Sequence, residues 1–337
     1  MSTKPIPNPP AAPGTPLLEV RDLSVSFHLL EGVVPAVAGM NLRLDPGEIL
    51  GVVGESACGK SVTAKAILRI IPTPPGRINS GRVLFEGQDL MALPEAEMQK
   101  IRGEKISMIF QEPMTSLNPA FTVGDQIAEV FRFHRQMSKS EAWGKAVEEL
   151  RRVEIPDPER RAGSYPHELS GGMRQRAMIA IALACRPRIL IADEPTTALD
   201  VTIQAQILKL ISQLQREIGM AVMLITHNLG IVASLAQRVV VMYAGRIVEE
   251  GPVETIFNGY HHPYTRGLLQ SVPRLDLPQQ DLREIRGTVP RLNDLPEGCT
   301  FSSRCDYVMD ACRRREPELR PVGGDHFSRC WLEKRVW

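Results

Sequence analysis

Gly54-Glu-Ser-Ala-Cys-Gly-Lys-Ser61 fits the pattern G-x-x-x-x-G-K-[ST] and lies between the apolar run Ile49–Val53 and a helix-like stretch, Ser61–Ile71. A buried strand that ends in a Gly-rich turn and opens a helix aims successive backbone N–H groups at one point, where a polyphosphate can sit. The chain around it must therefore supply an α/β unit. On this reading Gly54, Glu55, Ser56, Ala57, Cys58, Gly59, Lys60, Ser61 and the adjoining Val62 form a nucleotide cradle. Lys60 reaches the β- and γ-phosphates as a point charge, and the Ser61 hydroxyl takes a coordination place on Mg²⁺.

With 337 residues, 43% of them apolar, the chain can bury one large or two modest cores. Its net charge of +1 argues against nucleic acid as the main partner, which would need a basic face. The longest apolar run, Ala177–Cys185, is closed by Arg186-Pro187 and falls well short of the ~18 residues of a membrane span. No apolar signal core opens the sequence, so a cytoplasmic protein with reduced cysteines is expected.

Residues 1–16 hold six prolines and read as an extended tail. Order is expected from Leu17, in a β-rich start where Leu18, Val20, Val25 and Phe27 alternate, continued by strands at Arg82–Phe85 and Ile106–Phe110. Phe27 can be a core aromatic or a ring that stacks on a base. From Gln111 to about Leu169, Glu, Lys and Arg mix with helically spaced Ile127, Val130, Phe131, Val147 and Leu150, which reads as a helical insertion. Leu169-Ser-Gly-Gly-Met-Arg-Gln-Arg176 then enters an apolar helix and offers a second anion-binding turn at Ser170, Gly171 and Gly172.

The apolar strand Ile189–Ala192 delivers Asp193 and Glu194 at its C-terminal end, where open α/β sheets place their ligands. There Asp193 can hold Mg²⁺ through water, and Glu194 can polarise the attacking water. Ala221–Thr226 delivers His227 in the same way, and Val239–Tyr243, Ala244-Gly245 and Arg246–Glu249 read as a closing hairpin. Cys58 stands at a helix N-terminus beside Lys60, a setting expected to lower a thiol pKa.

Cys299, Cys305, Cys312 and Cys330 gather four of the six cysteines into a polar segment at spacings C-x5-C-x6-C-x17-C. A metal site is the expectation: the spacings lack the C-x2-C knuckles usual for zinc, and four thiolates can equally hold a [4Fe–4S] cluster. Zinc and unmetallated thiols are the alternatives.

Together, Gly54–Ser61, Gln111, Leu169–Gln175, Ile189–Glu194, Ala198-Leu-Asp200 and His227 resemble the ABC ATPase set of Walker A, Q-loop, signature, Walker B, D-loop and H-loop, in family order. Met108–Pro119, Ala192–Gln206, His262-Pro-Tyr-Thr265 and the cysteine-bearing tail resemble the oligopeptide/dipeptide permease subfamily. The resemblance implies a P-loop NTPase fold with a RecA-like core, an antiparallel β subdomain, a helical subdomain over about 112–186 within an ATPase domain at 17–255, and a Cys-rich extension at 256–337. It implies that Phe27 stacks on adenine, that Gln111 senses γ-phosphate and joins Ser61 and Asp193 around Mg²⁺, and that His227 contacts the γ-phosphate. Ser170, Gly171, Gly172, Gln175 and Asp200 are implied to close a partner's cradle over ATP, and the cysteine tail to carry an iron–sulfur cluster. It further implies a head-to-tail dimer with a second, usually different, ATPase chain, on the cytoplasmic face of the membrane below two permease subunits fed by a solute-binding protein. The expected function is ATP-driven import of di- or oligopeptides. Nickel or glutathione import by the same machinery, a soluble ABC protein acting on nucleic acid or ribosomes, and a regulatory module without turnover are the other readings. Two departures stand out: Ala57 occupies a position usually held by Gly, and Asn228 one commonly held by Asp.

Overall fold

The computed structural model describes residues 15–112, 116–197, 199–271, 285–290 and 293–335. The expected Pro-rich tail, apart from its last two residues, lies outside them, as do Ala198 of the D-loop stretch and residues 113–115. In chain order the elements are β1 (Leu18–Leu29), β2 (Gly32–Leu44), β3 (Ile49–Val53), α1 (Lys60–Ile67), β4 (Gly76–Phe85), β5 (Gln88–Asp89), α2 (Glu95–Ile101), β6 (Ile106–Ile109), α3 (Val123–Arg135), α4 (Lys139–Arg152), α5 (Pro158–Ala162), α6 (Gly171–Leu183), β7 (Ile189–Asp193), α7 (Val201–Ile218), β8 (Ala221–Ile225), α8 (Leu229–Leu235), β9 (Arg238–Tyr243), β10 (Arg246–Pro252), α9 (Val253–Gly259), α10 (Pro263–Gln270), α11 (Asp310–Arg314), β11 (Arg320–Gly323) and β12 (His326–Ser328). Two compact units share them: one holds Asp45–Glu48 and Ala92–Met223, the other Pro16–Leu44, Ile49–Met91 and Leu224–Trp337.

In the second unit, β2, β1, β4 and β5 form an antiparallel sheet in that order. Leu18, Val20, Leu23 and Val25 of β1 are buried, and the step from Val20 to Leu23 crosses a register shift, which keeps the apolar residues inward where strict alternation would fail. The same unit orders β11, β12, β10, β9 and β3 side by side, with β3 parallel to β9 and the rest antiparallel. All five residues of β3 are buried, as a strand covered on both faces requires. The β9–β10 hairpin turns at Ala244 (φ 47°) and Gly245 (φ 79°), whose left-handed pair matches the strand twist. Sequence periodicity carries the first helix to Ile71, but α1 stops at Ile67 because Arg69 turns left-handed (φ 54°) and its guanidinium donates to Leu90 O at 3.1 Å. The tail, expected to be loop-rich, adds β11 and β12 to the edge of β10.

In the first unit, β6 and β7 pair in parallel, and helices follow or precede them. Thr122 caps α3 by accepting from Asp125 N, and Ser138 with Glu141 forms a reciprocal capping box on α4. Ile127 and Phe131 of α3 and Ala142, Ala146 and Leu150 of α4 are buried at helical spacing, while Val130 and Val147 are half-buried. α7 begins at the Asp200 cap, buries Ile207, Leu210, Ile211 and Leu214, and ends at left-handed Gly219.

Candidate functional site

The loop Gly54–Ser61 joins β3 directly to α1. A Cβ on Gly54 would stand 2.3 Å from Met242 O, and one on Gly59 would stand 2.6 Å from Ala36 O, so backbone crowding makes both positions glycine-only. Both also have positive φ, 153° and 100°. Ala57 sits at φ 62°, the left-handed conformation for which a Cβ costs roughly 1–2 kcal/mol. Lys60 is only 5% exposed and its Nζ donates to Gly54 O at 2.8 Å and Glu55 O at 2.9 Å, so the ammonium is folded against its own loop. Thr63 ties the loop to the helix: its N–H and its hydroxyl both donate to Gly59 O at 2.9 Å. Ser61 and Val62 are half-buried on the first turn of α1.

Cys58 corrects an expectation. The thiol is fully buried, and desolvation outweighs the Lys60 charge and pushes its pKa up, whereas helix position beside a lysine had pointed down. Its carbonyl accepts from Gly245 N at 3.0 Å, which fastens the loop to the β9–β10 turn.

Phe27 lies on β1 opposite Val34 of β2 and Gly76 of β4, half-buried. At the end of β8, Thr226 N donates to Val52 O at 3.2 Å, and the exposed His227 comes next. Asn228 caps α8, its Oδ1 accepting from Gly230 N at 3.0 Å and Ile231 N at 3.3 Å. Asn and Asp cap helices about equally well, so this departure keeps the cap.

The remaining sequence-derived residues belong to the first unit. Gln111 lies just past β6 and is exposed, while Asp193 closes β7 at 2% exposure. Glu194, next in the chain, has φ 48°, and its Oε2 accepts from Gln111 Nε2 at 3.1 Å and from Thr197 Oγ1 at 2.8 Å. Sequence reasoning missed Thr197; a hydroxyl three residues after an acidic strand end was the available sign. Ser170 Oγ caps α6 by accepting from Met173 N at 3.3 Å. The turn rests on the start of the α7 segment, with a Gly171 Cβ position 3.7 Å from Leu199 and a Gly172 Cβ position 3.0 Å from Ile203. Gln175 is 2% exposed and donates to Pro195 O at 2.5 Å, so it braces the loop after Glu194. Asp200 is exposed, and its Oδ1 accepts from Ile203 N at 2.9 Å.

The cluster expected in the cysteine tail finds no support among the described residues. Burial pushes the thiols of Cys299, Cys305 and Cys330 up to about 11, and the neighbouring thiols add to each shift. Cys299 N donates to Cys312 O at 2.8 Å, so the segment is fastened by backbone hydrogen bonds. Among the described residues no three or more His, Cys, Asp or Glu side chains converge to hold a metal ion, so the geometry does not support an iron–sulfur or zinc site there. In the second unit, the Gly54–Lys60 loop that opens α1 and the Ser61 hydroxyl on its first turn suit a phosphate and its Mg²⁺; in the first unit, Asp193 places a carboxylate at the end of β7.

Residues 37–197 match the ABC transporter family, and residues 248–312 match the oligopeptide/dipeptide transporter C-terminal region. A probable peptide ABC transporter ATP-binding protein of Sinorhizobium fredii is 54% identical, covering 95% of this chain and 96% of that protein. This chain belongs to the family of peptide ABC transporter ATP-binding proteins. Other members include the oligopeptide transport ATP-binding protein OppD of Bacillus subtilis, 53% identical over 94% of this chain and 89% of its own length. The dipeptide transport ATP-binding protein DppD of the same organism is 51% identical over 94% and 95%. The ATP-binding cassette MJ0796, solved as a dimer bound to ADP and Pi, superposes with a TM-score of 0.63 at 28% identity, over 70% of this chain and 98% of that one. The ABC cassette fold is common to both. Among the described residues no helix is long and apolar enough to cross a membrane.

Proposed function

We propose that this chain hydrolyses ATP to energise import of di- or oligopeptides across the cytoplasmic membrane. The observation that carries the reading is the carboxylate of Glu194, held at the end of β7 by Gln111 and Thr197 in a chain matched along nearly its whole length by peptide-transport ATP-binding proteins. When bound, Mg²⁺ would neutralise charge on the phosphates, with Ser61, Gln111 and Asp193 as the residues that would hold it. Lys60 exchanges its two loop carbonyls for phosphate oxygens. Glu194 accepts the proton of the attacking water while Gln111 and Thr197 fix its orientation, and His227 donates to the γ-phosphate. Phe27 stacks on the base. No step runs through an iron–sulfur or zinc group.

Residues 17–255 are assigned to the ATPase, with the helical insertion at about 112–186, and residues 256–337 to the extension. Ser170, Gly171, Gly172, Gln175 and Asp200 serve the face toward a second ATPase chain in a head-to-tail pair, and nucleotide closure of that pair drives two permease subunits at the cytoplasmic face. A different second chain and an external solute-binding protein complete the assembly. The names of the relatives favour peptides over nickel or glutathione. The test is reconstitution in proteoliposomes with the permease subunits, the second ATPase chain and the binding protein: peptide should accumulate only with ATP and stimulate its hydrolysis. ATP turnover indifferent to peptide and without uptake would overturn the reading.

A further inference from the structure

Glu55 is the second residue of the phosphate loop, and each of its polar groups is engaged. Its carbonyl accepts from Lys60 Nζ at 2.9 Å, its N–H donates to Tyr264 Oη at 2.8 Å, and its carboxylate accepts a two-pronged pair from Arg304, NH1 to Oε2 at 2.7 Å and NH2 to Oε1 at 3.0 Å. Tyr264 and Arg304 come from the C-terminal extension, some 209 and 249 residues further along the chain. Neither is a casual surface contact. Tyr264 is fully buried, its ring centroid 4.7 Å from that of Tyr243 and 5.4 Å from that of Phe301. The Arg304 side chain is 4% exposed, and its other donors go to Arg286 O at 2.9 Å and Gly287 O at 3.2 Å.

A carboxylate one residue into a loop that must receive a polyphosphate would repel its own ligand. The planar fork of arginine is the side chain suited to neutralise it at fixed geometry, because two parallel charge-assisted hydrogen bonds set direction as well as charge. We infer that Arg304 is a positioning residue of the nucleotide cradle: it neutralises Glu55 and, with Tyr264, holds the Gly54–Glu55 backbone in the shape that lets Lys60 and the loop amides converge on phosphate. The C-terminal extension thereby becomes part of the ATP site without touching ATP. This rests on the assignment of Gly54–Ser61 as the nucleotide loop.

The test is the MgATP dissociation constant of the purified full-length chain, with Lys60→Ala as the control for that assignment. Arg304→Ala should weaken MgATP about tenfold, the size of one charge-assisted hydrogen bond. Adding Glu55→Gln to it should recover most of the loss, because the uncompensated anion is then gone. A purely structural role would give no such rescue. Where Arg304→Ala does not yield folded protein, Arg304→Lys, which keeps the charge but not the fork, should still weaken binding severalfold. Parental affinity in the folded arginine variant overturns the inference, as does a double variant as weak as Arg304→Ala. Parental affinity in Lys60→Ala would instead overturn the nucleotide loop itself.

Discussion

Gln111 Nε2 donates to Glu194 Oε2 at 3.1 Å, so the residue just beyond one strand steadies the carboxylate just beyond its parallel neighbour. Glu194→Gln keeps this side chain's volume but removes its capacity to take a proton. The variant should bind MgATP like the parent and lose roughly 10²–10⁴ in turnover, as a missing general base does. Steady-state ATPase assays on the assembled transporter check this; a parental rate would assign the base elsewhere.

Lys60 is buried with its ammonium on two carbonyls of its own loop. Lys60→Ala removes the phosphate contact and leaves Gly54 O and Glu55 O without that donor. Nucleotide affinity should fall by about 10² or more, the equivalent of two charge-assisted hydrogen bonds, in a fluorescent-nucleotide titration.

Ala57 holds φ 62° in an exposed turn. Ala57→Gly relieves a left-handed penalty of roughly 1–2 kcal/mol and restores roughly 0.4–1 kcal/mol of unfolded-chain freedom. The net expectation is a gain between zero and roughly 1.6 kcal/mol, read as a higher urea midpoint at unchanged slope; a loss of stability would show that the methyl makes favourable contacts.

The buried Cys58 thiol, with its pKa pushed up, should react slowly with iodoacetamide at neutral pH even without nucleotide. Mass spectrometry of the loop peptide after timed labelling gives the rate. Modification as fast as that of a free thiol would mean that the loop opens readily in solution.

His262 is 1% exposed, and its Nδ1 accepts from Tyr264 N at 3.1 Å, an arrangement open only to the neutral ring. Burial lowers its pKa from 6.5 to about 4, against the opposing charge of Glu249. The unfolded chain therefore binds a proton that the folded chain refuses, and the resulting stability is complete above pH 6.5 and lost as pH falls toward 4. The slope should be roughly 1.4 kcal/mol per pH unit in that window. His262→Asn retains a capping side chain that does not titrate, so the difference in pH slope between variant and parent, from urea unfolding, isolates the effect.

Local chemistry was legible from the residues alone. An apolar run ending in Gly54 and resuming as a helix at Lys60 needs no partner to be recognised, and the strain at Ala57 comes from one methyl in a glycine's place. Long-range partners were not legible. Nothing near Glu55 announces Arg304, and nothing in Leu169–Arg176 says that Gln175 turns inward onto Pro195 O. The direction of the Cys58 shift was misread because neighbours in sequence supply charge, while burial is supplied by distant segments such as β9, whose Met242 O crowds the loop. Cysteine spacing likewise could not reveal that β12 fastens the tail through hydrogen bonds to β10, with β11 paired on its outer side.

The distance along the chain between Glu55 and Arg304 also sets an order in time. A ribosome adds about 5–20 residues per second, so the strand and loop of the cradle emerge well before the arginine that completes them, which lies 249 residues later. Throughout that interval the nascent loop carries an uncompensated carboxylate. The cradle thus reaches its full affinity for ATP only after Arg304 has emerged. Chains stalled with Arg304 still inside the exit tunnel should retain immobilised nucleotide less well than chains stalled after its release; equal retention would remove this timing.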